Sequence, residues 1–143
     1  DDGLYVLNID ESGSIVPEDD IGMITGDYAI VGFTEGRSTV EGDCADDEEG
    51  SGPDKVYEWS PPYDGCWQIS TSRTGWDTVL RLIDPESVTC TSFDEITCDD
   101  DVSDDDRTSE INEELSASES YYIVIDGYDP RDSGLFSVDI NEC

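Results

Sequence analysis

The sequence predicts an all-β fold, an antiparallel β-sandwich of jelly-roll type. Three observations carry this. Aromatic and β-branched residues recur in short clusters along the 143 residues. Within several clusters apolar and polar residues alternate, and Gly, Pro, Asp and Ser punctuate the gaps between them. Many short strands separated by turns indicate a sandwich rather than an alternating α/β chain.

In chain order, Leu4-Tyr5-Val6-Leu7-Asn8-Ile9 is a strand-like apolar run, followed by the flexible Ser12-Gly13-Ser14 and then Ile15-Val16-Pro17. We divide the chain into an N-terminal extension, residues 1–20, which is a candidate donor strand, and a sandwich domain, residues 21–143. The stretch from Val56 to Trp59 stops at Pro61-Pro62, and Cys66 to Thr71 follows Asp64-Gly65. These two read as a hairpin with Tyr57, Trp59, Trp67 and Ile69 facing inward. Asp77 to Asp84 is a further strand, bounded by Asp84-Pro85. Thr108 to Leu115 is ambiguous, because Ile111 and Leu115 share a helical face and Asn112-Glu113-Glu114 prefers helix; the sandwich topology makes it a strand. Tyr121 to Asp126 and Leu135 to Ile140 complete the set. In the last, Phe136, Val138 and Ile140 alternate with Ser137 and Asp139, which predicts one core face and one wet face. Asp43 to Asp54 and Asp99 to Asp106 read as loops, and no internal repeat is convincing.

Charge narrows the function classes. There are 38 acidic residues against 6 basic ones, no histidine, and a formal net charge of -32. Nucleic acid and a bare anionic membrane would both repel such a surface. Lys55 is the only lysine, a bias that also fits adaptation to concentrated salt, so either brine or calcium can screen the repulsion. The chain still has the means to fold as one domain: 35% of it is hydrophobic, with three Trp and seven Tyr, and a chain of this length buries about two-thirds of its unfolded surface. Wholly disordered acidic chains lack such aromatic clusters.

The five cysteines, Cys44, Cys66, Cys90, Cys98 and Cys143, form no Cys-x-x-Cys pair and have no histidine beside them, so disulfides are a better reading than zinc. That places the protein outside the cytoplasm, secreted or at the cell surface. Spacing suggests Cys90 with Cys98 and Cys44 with Cys143, leaving Cys66 over, although sequence alone does not determine connectivity. The start at Asp1, with no basic n-region or apolar h-region, reads as a mature chain after signal removal, and no stretch is apolar enough to span a bilayer.

The densest feature is Asp99-Asp100-Asp101-Val102-Ser103-Asp104-Asp105-Asp106, six carboxylates in eight positions. Carboxylates this close repel unless a cation sits among them, and hard oxygen ligands suit calcium. Because calcium takes about six to eight oxygens, other loops must contribute. We assign as candidate metal ligands Asp99, Asp100, Asp101, Asp104 and Asp106 from this run, with Asp77, Asp126, Asp129 and Asp132 from elsewhere. The competing reading is that these are solvated charges or turn caps. An EF-hand is rejected: Asp99, Asp101, Ser103, Asp105 and Glu110 have suggestive spacing, but Asp104 stands where that loop requires glycine and Arg107 takes a ligand position. A second cluster, Asp43, Asp46, Asp47, Glu48 and Glu49, reads as solvated loop. Without histidine there is no Ser-His-Asp or Cys-His set, and acids are so abundant that a glycosidase-type pair is uninformative. Trp76, Tyr63 and Tyr128 are candidates for stacking on sugar rings, with core packing the default.

Several of these residues together carry a family resemblance. Gly75-Trp76-Asp77-Thr78-Val79-Leu80, then Cys90 to Cys98-Asp99-Asp100, then Ala117 to Tyr121-Tyr122-Ile123-Val124-Ile125-Asp126-Gly127-Tyr128, then Gly134-Leu135-Phe136-Ser137-Val138 resembles the bacterial pre-peptidase C-terminal domain family and related jelly-roll domains, over roughly residues 22–143. The resemblance implies a secreted, calcium-associated β-sandwich that accompanies hydrolases without being the catalyst and sometimes binds polymers. Two expectations follow. One is a non-catalytic calcium-binding sandwich with an extracellular structural or adhesive role, a filament subunit that binds identical subunits by N-terminal strand donation. The alternative is an accessory module of a secreted hydrolase system that binds polysaccharide or protein fibres.

Overall fold

The structure is a computed structural model that describes residues 17–36, 38, 52–89 and 93–143. Its strands are β1 (Asp19–Asp20), β2 (Gly26–Thr34), β3 (Asp54–Trp59), β4 (Gly65–Ser70), β5 (Thr78–Ile83), β6 (Glu95–Asp99), β7 (Glu110–Leu115), β8 (Tyr121–Gly127) and β9 (Gly134–Glu142). They form two sheets, one in the order β1-β3-β8-β5-β6 and one in the order β2-β9-β4-β7. Every pairing is antiparallel except β1 on β3, which is parallel. The predicted antiparallel sandwich is the observed fold.

Between the sheets lies the main core. Tyr57, Trp59, Leu80, Leu82, Tyr121, Ile123 and Ile125 come from one sheet and Ile30, Trp67, Ile69, Ile111, Leu115, Phe136, Val138 and Ile140 from the other. Trp59 and Trp67 meet edge to face at 5.7 Å, and Tyr57 meets Phe136 in the same manner at 6.3 Å. Each indole N–H finds a carbonyl, Trp59 on Ile24 and Trp67 on Tyr63, so neither ring is buried with an unmet donor. Gly32 is required where it stands: a Cβ there would lie 2.6 Å from the Phe136 ring and 2.8 Å from the Tyr57 hydroxyl.

The predicted hairpin is corrected. Strands β3 and β4 do not pair; β3 lies between β1 and β8, and β4 between β9 and β7. Pro61 and Pro62 have no N–H with which to begin a ladder, and the chain instead crosses from one sheet to the other. The two tryptophans then face each other across the core. Their inward orientation is as expected.

The ambiguous segment is a strand from Glu110, paired with β4. Residues four apart share a face in either conformation, and the long-range ladder overrides the local helix preference of Asn112-Glu113-Glu114. The expected wet face of β9 is also corrected, because Ser137 and Asp139 are buried as well. Thr74 bridges the Ser137 backbone, donating to its carbonyl and accepting from its amide, while Arg73 Nε donates to Asp139 at 2.9 Å. The outer face of the other sheet is likewise covered, with Val56, Ile83 and Val124 fully buried.

Part of the N-terminal extension docks on its own chain. Glu18 N donates to the Val56 carbonyl, Ile21 N to that of Glu58, and Lys55 Nζ meets Glu18 at 3.3 Å. The apolar run Leu4 to Ile9 lies outside the described residues.

The cysteine pairing differs from expectation. Cys143 is bonded to Cys66, not Cys44, with Cα atoms 5.4 Å apart. Register explains it: Trp67 pairs with Glu142 in β4–β9, so one step further sets Cys66 against Cys143, whose N–H donates to the Cys66 carbonyl. Cys98 is also disulfide-bonded, and the two remaining cysteines, Cys44 and Cys90, lie outside the described residues. The Cys66–Cys143 bridge spans a sequence separation of 77, for which chain entropy in the unfolded state gives about 4 kcal/mol. Replacing both cysteines by Ala is expected to lower the unfolding free energy by about 2–4 kcal/mol in urea titrations; an unchanged midpoint would show that the bridge carries no stability.

Candidate metal centre

Antiparallel pairing of β5 with β6 sets Leu80 opposite Asp99, so the residue before β5 and those after β6 meet at one end of the sheet. Asp77, Asp100 and Asp101 converge there, each offering a carboxylate oxygen, with all three oxygens within 4.8 Å of one another. A buried hydroxyl network anchors the loops beneath them. Thr78 Oγ1 lies 2.7 Å from Thr71 Oγ1 and 2.8 Å from Ser109 Oγ, and Ser109 Oγ also lies within hydrogen-bond distance of the Asp100 carbonyl, at 2.8 Å. Thr78 N donates to the Arg107 carbonyl and Val102 N to that of Thr108.

Two features fit this cluster to a cation. First, Asp77 Oδ1 and Asp101 Oδ1 are buried and accept no hydrogen bond, a costly state for a carboxylate unless a positive charge meets it. Second, burial, the neighbouring Asp101 and Asp132 together push the Asp77 carboxyl up to about 6, against a smaller opposing pull from Arg107. The Arg107 guanidinium lies at the mouth, 3.7 Å from Asp77 Oδ2 and 3.8 Å from Asp101 Oδ2, and is itself largely exposed. It leaves the two Oδ1 atoms unmet. Three carboxylates facing a small space suit a hard divalent ion.

The remaining predicted ligands have other partners. Asp99 Oδ2 accepts the Glu110 amide at 2.8 Å, tying β6 to β7, and burial raises its pKa. Asp106 accepts both the amide and the hydroxyl of Thr108, which hold it below the usual carboxylate range. Asp104 is exposed at the turn. Asp129 is bound by the Arg131 side chain and amide, which also hold it low. Asp132 accepts the amides of Asp129 and Asp77 and so orients the loop that carries Asp77; burial raises it.

Asp126 lies apart from the three. It is fully buried on the outer face of the larger sheet, opposite Asp54 in the β3–β8 register and 3.6 Å from Arg81 Nε. Burial first, and Asp54 next, push its pKa well up, against the pull of Arg81. Arg81 Nη1 also donates to Glu95 at 2.8 Å. The cluster Asp43 to Glu49 lies outside the described residues.

The hydroxyls of Thr71, Thr78 and Ser109 and the guanidinium of Arg107 were not among the candidates. Thr78 was open to discovery, since a polar residue at an inward position of an apolar strand must have a partner. The aromatic candidates do not form one platform. Tyr63 follows β3 at the Tyr121 end of the sheet and packs on Trp67 at 5.0 Å. Trp76 and Tyr128 flank Asp77 at the other end, where Trp76 Nε1 donates to the Leu135 carbonyl.

Proton binding and metal binding should compete at Asp77. Its folded-state pKa stands above the unfolded value of about 4, so in metal-free protein its contribution favours the fold at low pH and is lost as pH rises through about 6. A divalent ion needs the deprotonated form, so affinity should climb between about pH 5 and 7 with proton uptake by the buffer. Calorimetry in two buffers of different ionisation enthalpy reads this directly; a pH-independent affinity would contradict it.

No family model and no curated protein matches the chain. Among solved structures it is similar to the crystal structure of the pre-peptidase C-terminal domain of a collagenase from Bacillus anthracis, with a TM-score of 0.50 and 16% identity over 88% of this chain and 97% of that one. At that identity the likeness is one of architecture, and the fold of this chain is that of a pre-peptidase C-terminal domain.

Proposed function

We propose that the chain is a non-catalytic, calcium-binding β-sandwich that serves as an accessory module of a secreted hydrolase system and contacts an extracellular polymer. The observation that carries the calcium reading is the convergence of Asp77, Asp100 and Asp101, with Asp77 Oδ1 and Asp101 Oδ1 buried and unmet. The fold of a collagenase's pre-peptidase C-terminal domain supports the accessory role, and the disulfide supports an oxidising compartment. The absence of histidine from the whole sequence removes the acyl-transfer sets built on it. Calcium titrated into chelator-treated protein is expected to bind saturably and to raise the melting temperature with concentration. Magnesium, which prefers a near-ideal octahedron and keeps its waters, is expected to bind more weakly. Equal, weak and non-saturating responses to both ions would reject the reading.

A second reading is a filament subunit in which the extension upstream of the docked β1 donates a strand to a neighbouring copy; among the described residues β2 has a strand on one side only, while the net charge of -32 weighs against like subunits meeting unless cations screen it. Deleting residues 1–16 is then expected to reduce particle size in light scattering with calcium present; an unchanged size rejects polymerisation.

A further inference from the structure

Strand β2 combines an open edge with an apolar surface. In the order β2-β9-β4-β7 it is terminal, and no backbone hydrogen bond runs from Ile30 to Thr34 to anything but β9 among the described residues. Its outward side chains Tyr28, Val31 and Phe33 are 57%, 65% and 48% exposed, and Leu135, the cross-strand partner of Phe33, is 72% exposed. Proteins normally blunt a free edge with charge or proline. This chain, with 38 acids in 143 residues, places one charge in the nine residues of β2, Asp27, and that one is paired with Arg73. An edge with a single, paired acid and an apolar face therefore coincide in a molecule with 38 acidic residues.

We propose that the free edge of β2 takes an extended strand from a polypeptide partner whose apolar centre is flanked by basic residues. Main-chain hydrogen bonds along the edge would supply affinity, and alternate side chains would seat against Val31, Phe33 and Leu135. Charge selects this occupant. The apolar run Tyr28 to Thr34 is followed by the exposed acid Glu35, and the net charge of -32 favours a basic partner and opposes a second copy of the same chain. The inference deepens the accessory-module reading by giving the partner's chemistry, and it does not depend on the acidic triad.

The test uses the full chain, calcium-loaded, at high salt to suppress non-specific attraction to its acids. The probe is a capped peptide with a centre of alternating Val and Thr flanked by two lysines at each end; the control has the same lysines with every Val replaced by Gly. Amide chemical shifts are expected to change along β2 and β9 with the first peptide and not the second. The charge-neutral double substitution Val31→Ser and Phe33→Ser, which alters only exposed side chains, is expected to weaken binding about tenfold or more with the melting temperature retained. Shifts spread over the acidic loops, equal binding of both peptides, or indifference to the double substitution would overturn the proposal. Concentration-dependent dimerisation without peptide, with shifts on β2, would also overturn it by assigning the edge to a second copy. Calcium binding without peptide binding would sink this inference and leave the accessory reading intact.

Discussion

Exchanging Asp77 and Asp101 together for Asn is expected to abolish saturable calcium binding and, with it, the calcium-dependent rise in melting temperature. Each substitution removes a charge whose Oδ1 is buried without a donor. In the absence of metal the same change should therefore stabilise the protein at neutral pH, because the repulsion between Asp101 and Asp77 disappears. The two effects have opposite sign, which separates a ligand role from a structural one. Calcium present at a hundred times its dissociation constant adds about 2.7 kcal/mol to the wild-type fold, so wild type should be the more stable protein with calcium and the double variant the more stable without it. Thermal unfolding with calcium and with chelator measures both orders; a double variant less stable than wild type in chelator would mean that the carboxylates are tied into the fold itself.

The largest loss expected from one substitution is at Arg81. Its side chain is fully buried, meeting Glu95 at 2.8 Å and Asp126 at 3.6 Å, with Asp54 beside Asp126. Arg81→Met keeps much of the volume and strands the acids without their cation, a change that costs about 3–5 kcal/mol at neutral pH. The loss should shrink in acid. Asp126 has a raised folded-state pKa, so it takes up a proton while the fold persists, and its neutral form no longer needs Arg81. Urea titrations of both proteins across pH test this; a loss of equal size at pH 4 and pH 7 would assign the damage to packing.

The sequence made some of this legible and hid the rest for identifiable reasons. The inward set Tyr57, Trp59, Trp67 and Ile69 could be read because side-chain direction follows period alone. Which strands pair could not, since aromatic faces look the same in sequence whether the strands are neighbours or oppose each other across a core. The Cys66–Cys143 bond depends on the β4–β9 register, a long-range quantity absent from local spacing. In the acidic loops the density of charge drew attention to the segment that holds Asp100 and Asp101, and Asp77, Asp100 and Asp101, which the fold brings together, were among the nine candidates. Asp99, Asp106 and Asp132 carry the same carboxylate but spend it on backbone amides, a division of labour set by backbone direction. Asp126 sits two residues from Tyr128 at the acidic end, yet its environment is that of a buried ion pair, because both faces of its sheet are covered.

The Cys66–Cys143 bond has a mechanical consequence. Strand β9 lies in the middle of its sheet between β2 and β4, and Cys143, the residue that follows it, is fastened covalently to Cys66, the second residue of β4. Tension applied at residue 143 passes through sulfur into a second strand before any ladder is loaded. Peeling β9 away one rung at a time from its C-terminal end is thereby blocked, and the sheet must yield by shear of several rungs at once.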